Sequence, residues 1–190
     1  MIVRSVLYVF IIASIGFFLT GCASRELTPE DWQDPSVGIS WPEAPEPSRI
    51  KFLRTIASRE DMDEENSGSK ILEWLLGENV DEQPLISPYG LAADGEGRIW
   101  VADPGSGLVK VFDLRDRKVS YLSGFGDRFM VTPVDVGFDR GQRKVYVSDS
   151  GLNKILVFDN DGKYLSEITP PDGFGRPAGL TVAGDDSLYV

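Results

Sequence analysis

Four aspartates recur at matching places in this chain. Asp103 and Asp149 close the apolar runs Ile99-Trp100-Val101-Ala102 and Val145-Tyr146-Val147-Ser148, each just before a Gly-containing turn. Asp113 and Asp159 follow Val-Lys-Val-Phe and Ile-Leu-Val-Phe. Carboxylates in such a series are candidate cation ligands. Asp159-Asn160-Asp161-Gly162-Lys163 has the opening of a calcium loop, but no glutamate follows at the spacing needed to close one. The simpler expectation is that each aspartate accepts hydrogen bonds from turn N–H groups. Histidine is absent and Cys22 is the sole cysteine. The common zinc and triad arrangements therefore have no members here. We expect no catalytic residue, metal ligand or cofactor site among these residues.

The elements that carry the aspartates repeat. Pro88, Pro133 and Pro177 open "PYGLAADGEGRIWVAD", "PVDVGFDRGQRKVYVSD" and "PAGLTVAGDDSLYV", at intervals of 45 and 44 residues. In the first copy, short strands are predicted at Leu91–Asp94, Ile99–Ala102, Val109–Phe112 and Val119–Leu122, joined by Gly/Asp/Pro turns. Four short strands per repeat of this length make one propeller blade. Helical periodicity is absent, which argues against an α-solenoid. The chain stops inside its third copy, so it is expected to be a C-terminally truncated piece.

The repeats resemble the NHL family of β-propellers. The resemblance rests on P-x-G-L-A-x-D, I-W-V-A-D-P-G-S-G and, most specifically, "YVSDSGLNKILVFDNDGK" from Tyr146. It covers Pro88 to Val190. Asp135 stands where the motif prefers Gly, and Ala183 where it has Asp. The resemblance implies an all-β ring of about six blades, of which residues 48–190 are an incomplete part, with repeats from 88, 133 and 177.

Residues 1–21 read as a signal peptide: Arg4, then an apolar run from Val6 to Leu19 too short to span a bilayer. Leu19-Thr20-Gly21-Cys22 resembles a bacterial lipobox, which implies acylation of Cys22 and anchorage in the lipid bilayer. Ala23 resembles the sorting pattern for an outer-membrane lipoprotein facing the periplasm. Residues 1–21 hold one Arg and no acid, so their removal takes the net charge from −11 to −12. Such a body repels nucleic acid and anionic membrane surfaces. Residues 22–47, rich in Pro, Glu and Asp, are expected to be a tether.

"KFLRTI", Lys51–Ile56, echoes "KYLSEI", Lys163–Ile168, the outermost strand of the second repeat. The chain is thus expected to enter the ring on an outermost strand. Residues 57–87 then form a long insertion, with a short helix expected from Ser69 to Gly77. Up-down strands put this insertion on the same face as the Asp103 and Asp149 turns. Trp74 and Leu75 of that helix, with Arg128, Phe129 and Arg176 of the blade-to-blade links, are the candidate partner-binding residues. The two link phenylalanines, Phe129 and Phe174, are expected to wedge between blades. The leading expectation is an envelope lipoprotein whose propeller is a scaffold for a protein, glycan or small ligand. The alternatives are a metal-dependent lactonase- or lyase-like enzyme completed by further blades, and a purely architectural role.

Overall fold

A computed structural model describes residues 28, 32–34, 37–62, 83–122 and 124–190. Cys22, Trp74, Leu75 and the helix expected over 69–77 lie outside the described residues. The chain divides into two compact units, Met1–Arg54 and Thr55–Val190.

In the first unit, β1 (Ser40–Trp41) pairs antiparallel with β2 (Ile50–Lys51), Trp41 opposite Ile50. The ladder extends beyond the strands: Phe52 N–H donates to Ile39 O at 2.9 Å, and Asp34 N–H to Leu53 O at 2.7 Å. Trp32 is buried with the Arg54 guanidinium 5.7 Å from its ring. Where composition predicts a bare tether up to residue 47, the described residues hold a hairpin. The reason is a period-two pattern, Val37-x-Ile39-x-Trp41, inside a polar sequence. Of the stretch Lys51–Ile56, expected as an outermost propeller strand, only Lys51 is in a strand, and that strand pairs with β1.

The second unit begins with a tight turn. Asp61 Oδ2 accepts N–H bonds from Ala57 and Ser58, both at 2.8 Å, ahead of a 3-10 turn at Glu60–Met62 that buries Met62. Leu85 N–H donates to Ala57 O at 2.9 Å, so the insertion leaves and returns at one place.

Two complete four-stranded antiparallel sheets follow. The first contains β3 (Leu91–Ala93), β4 (Arg98–Asp103), β5 (Leu108–Asp113) and β6 (Lys118–Leu122), in that order across the sheet. A small hairpin, β7 (Gly124–Phe125) with β8 (Arg128–Phe129), links it to the second. The second contains β9 (Pro133–Asp139), β10 (Lys144–Asp149), β11 (Lys154–Asp159) and β12 (Tyr164–Ile168), with the same order. A third begins as β13 (Thr181–Val182) paired with β14 (Leu188–Tyr189). Serial up-down sheets repeated about every 45 residues are blades, and the chain is part of a β-propeller.

Alternation along each central strand gives every blade two apolar faces, and the blades stack through them. Trp100, Ala102, Val109 and Val111 of the first blade pack with Val145, Val147, Leu156 and Phe158 of the second. The other face of the second blade, Tyr146, Ile155 and Val157, packs on Leu180, Val182 and Leu188 of the third.

Candidate functional site

The matched aspartates at the ends of β4 and β10 are fully buried. Asp149 accepts four backbone N–H bonds. Two come from its own turn, Gly151 at 2.9 Å and Leu152 at 3.0 Å. Two come from the link entering its blade, Val131 at 2.8 Å and Thr132 at 3.0 Å. Asp103 accepts the equivalent link bonds from Ile86 at 2.9 Å and Ser87 at 2.7 Å. Its turn bonds instead to its backbone carbonyl, through Ser106 and Gly107 N–H. The expected acceptance of turn N–H bonds by the carboxylate thus holds at Asp149 and not at Asp103. Each also latches the incoming link onto the turn between its blade's second and third strands. The glycines two residues on allow that approach: a Cβ on Gly105 would lie 2.8 Å from Ile86 Cγ2, and one on Gly151 2.5 Å from Val131 Cγ1.

Asp103 carries a further partner. Lys110 Nζ lies 3.0 Å from Asp103 Oδ2, and neither side chain is exposed. The ammonium also donates to the carbonyls of Gln83, at 3.2 Å, and Pro84. The second blade has Leu156 at this position, so Lys110 is particular to the blade that receives the long insertion. Burial alone would raise the Asp103 carboxyl, but the N–H groups of Ile86 and Ser87 and the Lys110 ammonium bring it down to about 2.

This latched face holds three of the candidate binding residues. Arg128 stacks its guanidinium 4.3 Å from the Phe125 ring and pairs with Glu167 at 3.3 Å. Lys154 donates to the other oxygen of Glu167 at 2.5 Å; it and Arg128 hold that carboxyl below its usual range. Arg176 N–H donates to Asn153 Oδ1 at 2.8 Å. Phe129 corrects its expectation as a wedge: it is 73% exposed. The buried wedge is Phe125, which joins the core between the first two blades. Phe174, part-buried, packs between the second and third. Both belong to a Gly-Phe-Gly found in each link, at 124–126 and 173–175, and that shared triplet was the signal available in sequence. Ile86, at 63%, and Val131, at 55%, are exposed beside the latches.

Asp135, the departure from the motif, occupies the inner strand β9. Its Oδ2 accepts Leu180 N–H of the next repeat at 2.8 Å. On its other side a Cβ at Gly90 would lie 2.0 Å from its Oδ1. Gly90, Asp135 and Gly179 are equivalent in the three repeats. The carboxylate thus fills a space that neighbouring glycines leave and ties the second blade to the third. Asp113 and Asp159 cap their turns, accepting from Arg115 and Asp116 N–H, and from Asp161 and Lys163 N–H. Among the described residues, no group of three or more acids or cysteines is placed to hold a metal ion.

No family model matches the chain. It is similar to major royal jelly protein 9 of Apis mellifera, 27% identical over 125 residues, covering 54% of this chain and 30% of that protein. It is also similar to a probable peptidyl-alpha-hydroxyglycine alpha-amidating lyase of Caenorhabditis elegans, 28% identical over 108 residues, covering 53% and 31%. The chain thus spans about a third of the length of these curated relatives. Among solved structures it resembles a streptogramin B lyase (20% identity, TM-score 0.46, 56% of this chain and 36% of that one). It also resembles the virginiamycin B lyase of Staphylococcus aureus (18% identity, TM-score 0.45, 56% and 37%). The fold itself rests on the strand order and the blade-on-blade cores. On those observations the chain is two complete blades and the start of a third of a β-propeller.

Proposed function

We propose that this chain is the membrane-proximal part of an NHL-type propeller lipoprotein, anchored through acylated Cys22 in the bacterial envelope, that serves as a binding scaffold for an envelope protein or glycan. The observation that carries the binding role is the latched face. There Asp103 and Asp149 fix the links rigidly, while Ile86, Phe129 and Val131 stand exposed beside Arg128. Loops on a rigid scaffold are where recognition residues gather, and aromatic and Arg side chains anchor interfaces. The lipobox-like Leu19-Thr20-Gly21-Cys22 supports the anchor, and the resemblance of Ala23 to the outer-membrane sorting pattern supports that placement.

Two variants separate the parts of this reading. Labelled palmitate enters the wild type and is lost in Cys22→Ser; label retained by the variant contradicts the anchor. Phe129→Asp keeps the melting temperature and loses the envelope complex on a native gel; an unchanged complex contradicts the binding face.

A lyase-type enzyme is the second reading, favoured by the similarity to the amidating lyase. This chain has no histidine, and Asp103 and Asp149 are committed to backbone N–H groups. On this reading the reacting groups come from residues beyond this sequence, since Asp135 too is committed to backbone N–H groups, those of Val136 and Leu180.

A further inference from the structure

Between the first two blades, away from the latched face, lies a cavity of about 550 Å³, a volume suited to a small molecule. One wall is the row Trp100, Val111 and Ser120, which face each other across β4, β5 and β6. The turn Asp161–Gly162 of the second blade closes the opposite side. Trp100 is 1% exposed, yet its indole Nε1–H is buried with no hydrogen-bond partner. A buried donor left unpaired costs about 1–3 kcal/mol, so an acceptor placed in this cavity would remove a standing penalty.

The charges around the cavity point to the kind of acceptor. Arg98 lies over the Trp100 ring at 5.6 Å and is held rigid by Asp94 at 2.7 Å and by Asn160 of the second blade. Lys118 at the rim is tied only to Asp116, 3.8 Å away, with both side chains mostly exposed. Such a surface pair is weak and leaves the ammonium available. Of the two acids that line the cavity, Asp113 already accepts two N–H bonds from its own turn. In a chain with 30 acids and 19 bases, the described residues that line this cavity include the cations Arg59, Arg98 and Lys118 beside the acids Asp113 and Asp161.

We propose that the cleft between the first and second blades binds a small organic carboxylate with an apolar body. The carboxylate meets the Trp100 N–H and the Lys118 ammonium, and the body lies against Val111. This site is independent of the latched face and does not rest on the partner-binding reading.

The test is an indole ¹⁵N–¹H spectrum of the full chain, in which Trp100→Phe assigns the Trp100 peak among the four tryptophans. Benzoate is the probe, with benzyl alcohol and benzylamine as neutral and cationic controls. The expected result is a saturable shift of the Trp100 peak with benzoate alone. Lys118→Met weakens benzoate binding about tenfold, the loss of roughly one charge-assisted contact. Lys118 is exposed, so this variant folds even where Trp100→Phe does not. A Trp100 peak unmoved by benzoate, moved equally by all three probes, or titrating identically in Lys118→Met overturns the proposal.

Discussion

Lys110 reaches Asp103 across the β4–β5 pair, with Nζ 3.0 Å from Oδ2 and both side chains wholly buried. The same ammonium bonds the carbonyls of Gln83 and Pro84, where the long insertion rejoins the blade. One buried cation thus ties a strand, a turn and the returning chain together. Leu156 fills this place in the second blade, whose incoming link is short. Lys110→Leu therefore strands a buried carboxylate and two carbonyls, and is expected to cost about 3–5 kcal/mol, as breaking one side of a buried pair does. Urea unfolding measures it. A loss below about 1 kcal/mol means the pair holds nothing.

The same carboxylate sets an acid limit. Its folded pKa lies at about 2, below the ordinary 3.8. A depressed acid contributes stability that is complete above its unfolded pKa and is lost as pH falls towards the folded one. The shift corresponds to about 2 kcal/mol, removed between about pH 4 and pH 2. In Asp103→Asn this slope is expected to be shallower than in the wild type across that window. Equal slopes contradict the assignment.

Asp149 gathers four N–H groups on one carboxylate. Asp149→Ala leaves all four N–H groups without their acceptor and is expected to be more damaging than Asp149→Asn, which keeps one oxygen. With each orphaned donor costing about 1–3 kcal/mol, the alanine variant is expected to lose at least about 3 kcal/mol. Hydrogen exchange at Val131 and Thr132 reports the loss directly, because those amides are freed first. Protection retained there in Asp149→Ala contradicts the latch.

Two phenylalanines four residues apart are expected to behave oppositely. Phe125 is 2% exposed, and its ring packs at a tilt of 45° against that of Tyr164, 5.4 Å between centroids. Phe125→Ala is expected to cost about 3–5 kcal/mol. Phe129 is exposed, and Phe129→Ala is expected to stay within about 0.5 kcal/mol of the wild type. Thermal melts of the two variants check this, and a reversed order contradicts the assignment of the wedge.

What could be read in the sequence follows from range. The blade strands were legible because alternation and Gly/Asp turns are local, and Leu91–Ala93 through Lys118–Leu122 match their expected spans within a residue or so. The partners of Asp103 were not, since Ile86 and Ser87 lie 17 and 16 residues upstream and only the folded link brings them near. The Ser40–Lys51 hairpin was masked by composition: Pro and Glu outweighed the alternation of Val37, Ile39 and Trp41. Asp135 was visible as a break in the motif, but its tie to Leu180 needed the neighbouring blade. Trp100 reads as an ordinary core aromatic, and its unpaired N–H exists only in three dimensions.

The central claim is that the latched face is the face that engages a partner. Site-specific photocrosslinking from position 129 of the full-length protein in cells tests it most directly, with position 161, beside the opposite turns, as the control. The account predicts an adduct with one envelope partner from 129, none from 161, and loss of that adduct in Cys22→Ser. Crosslinks from 129 confined to the propeller itself, or equal adducts from both positions, would contradict it.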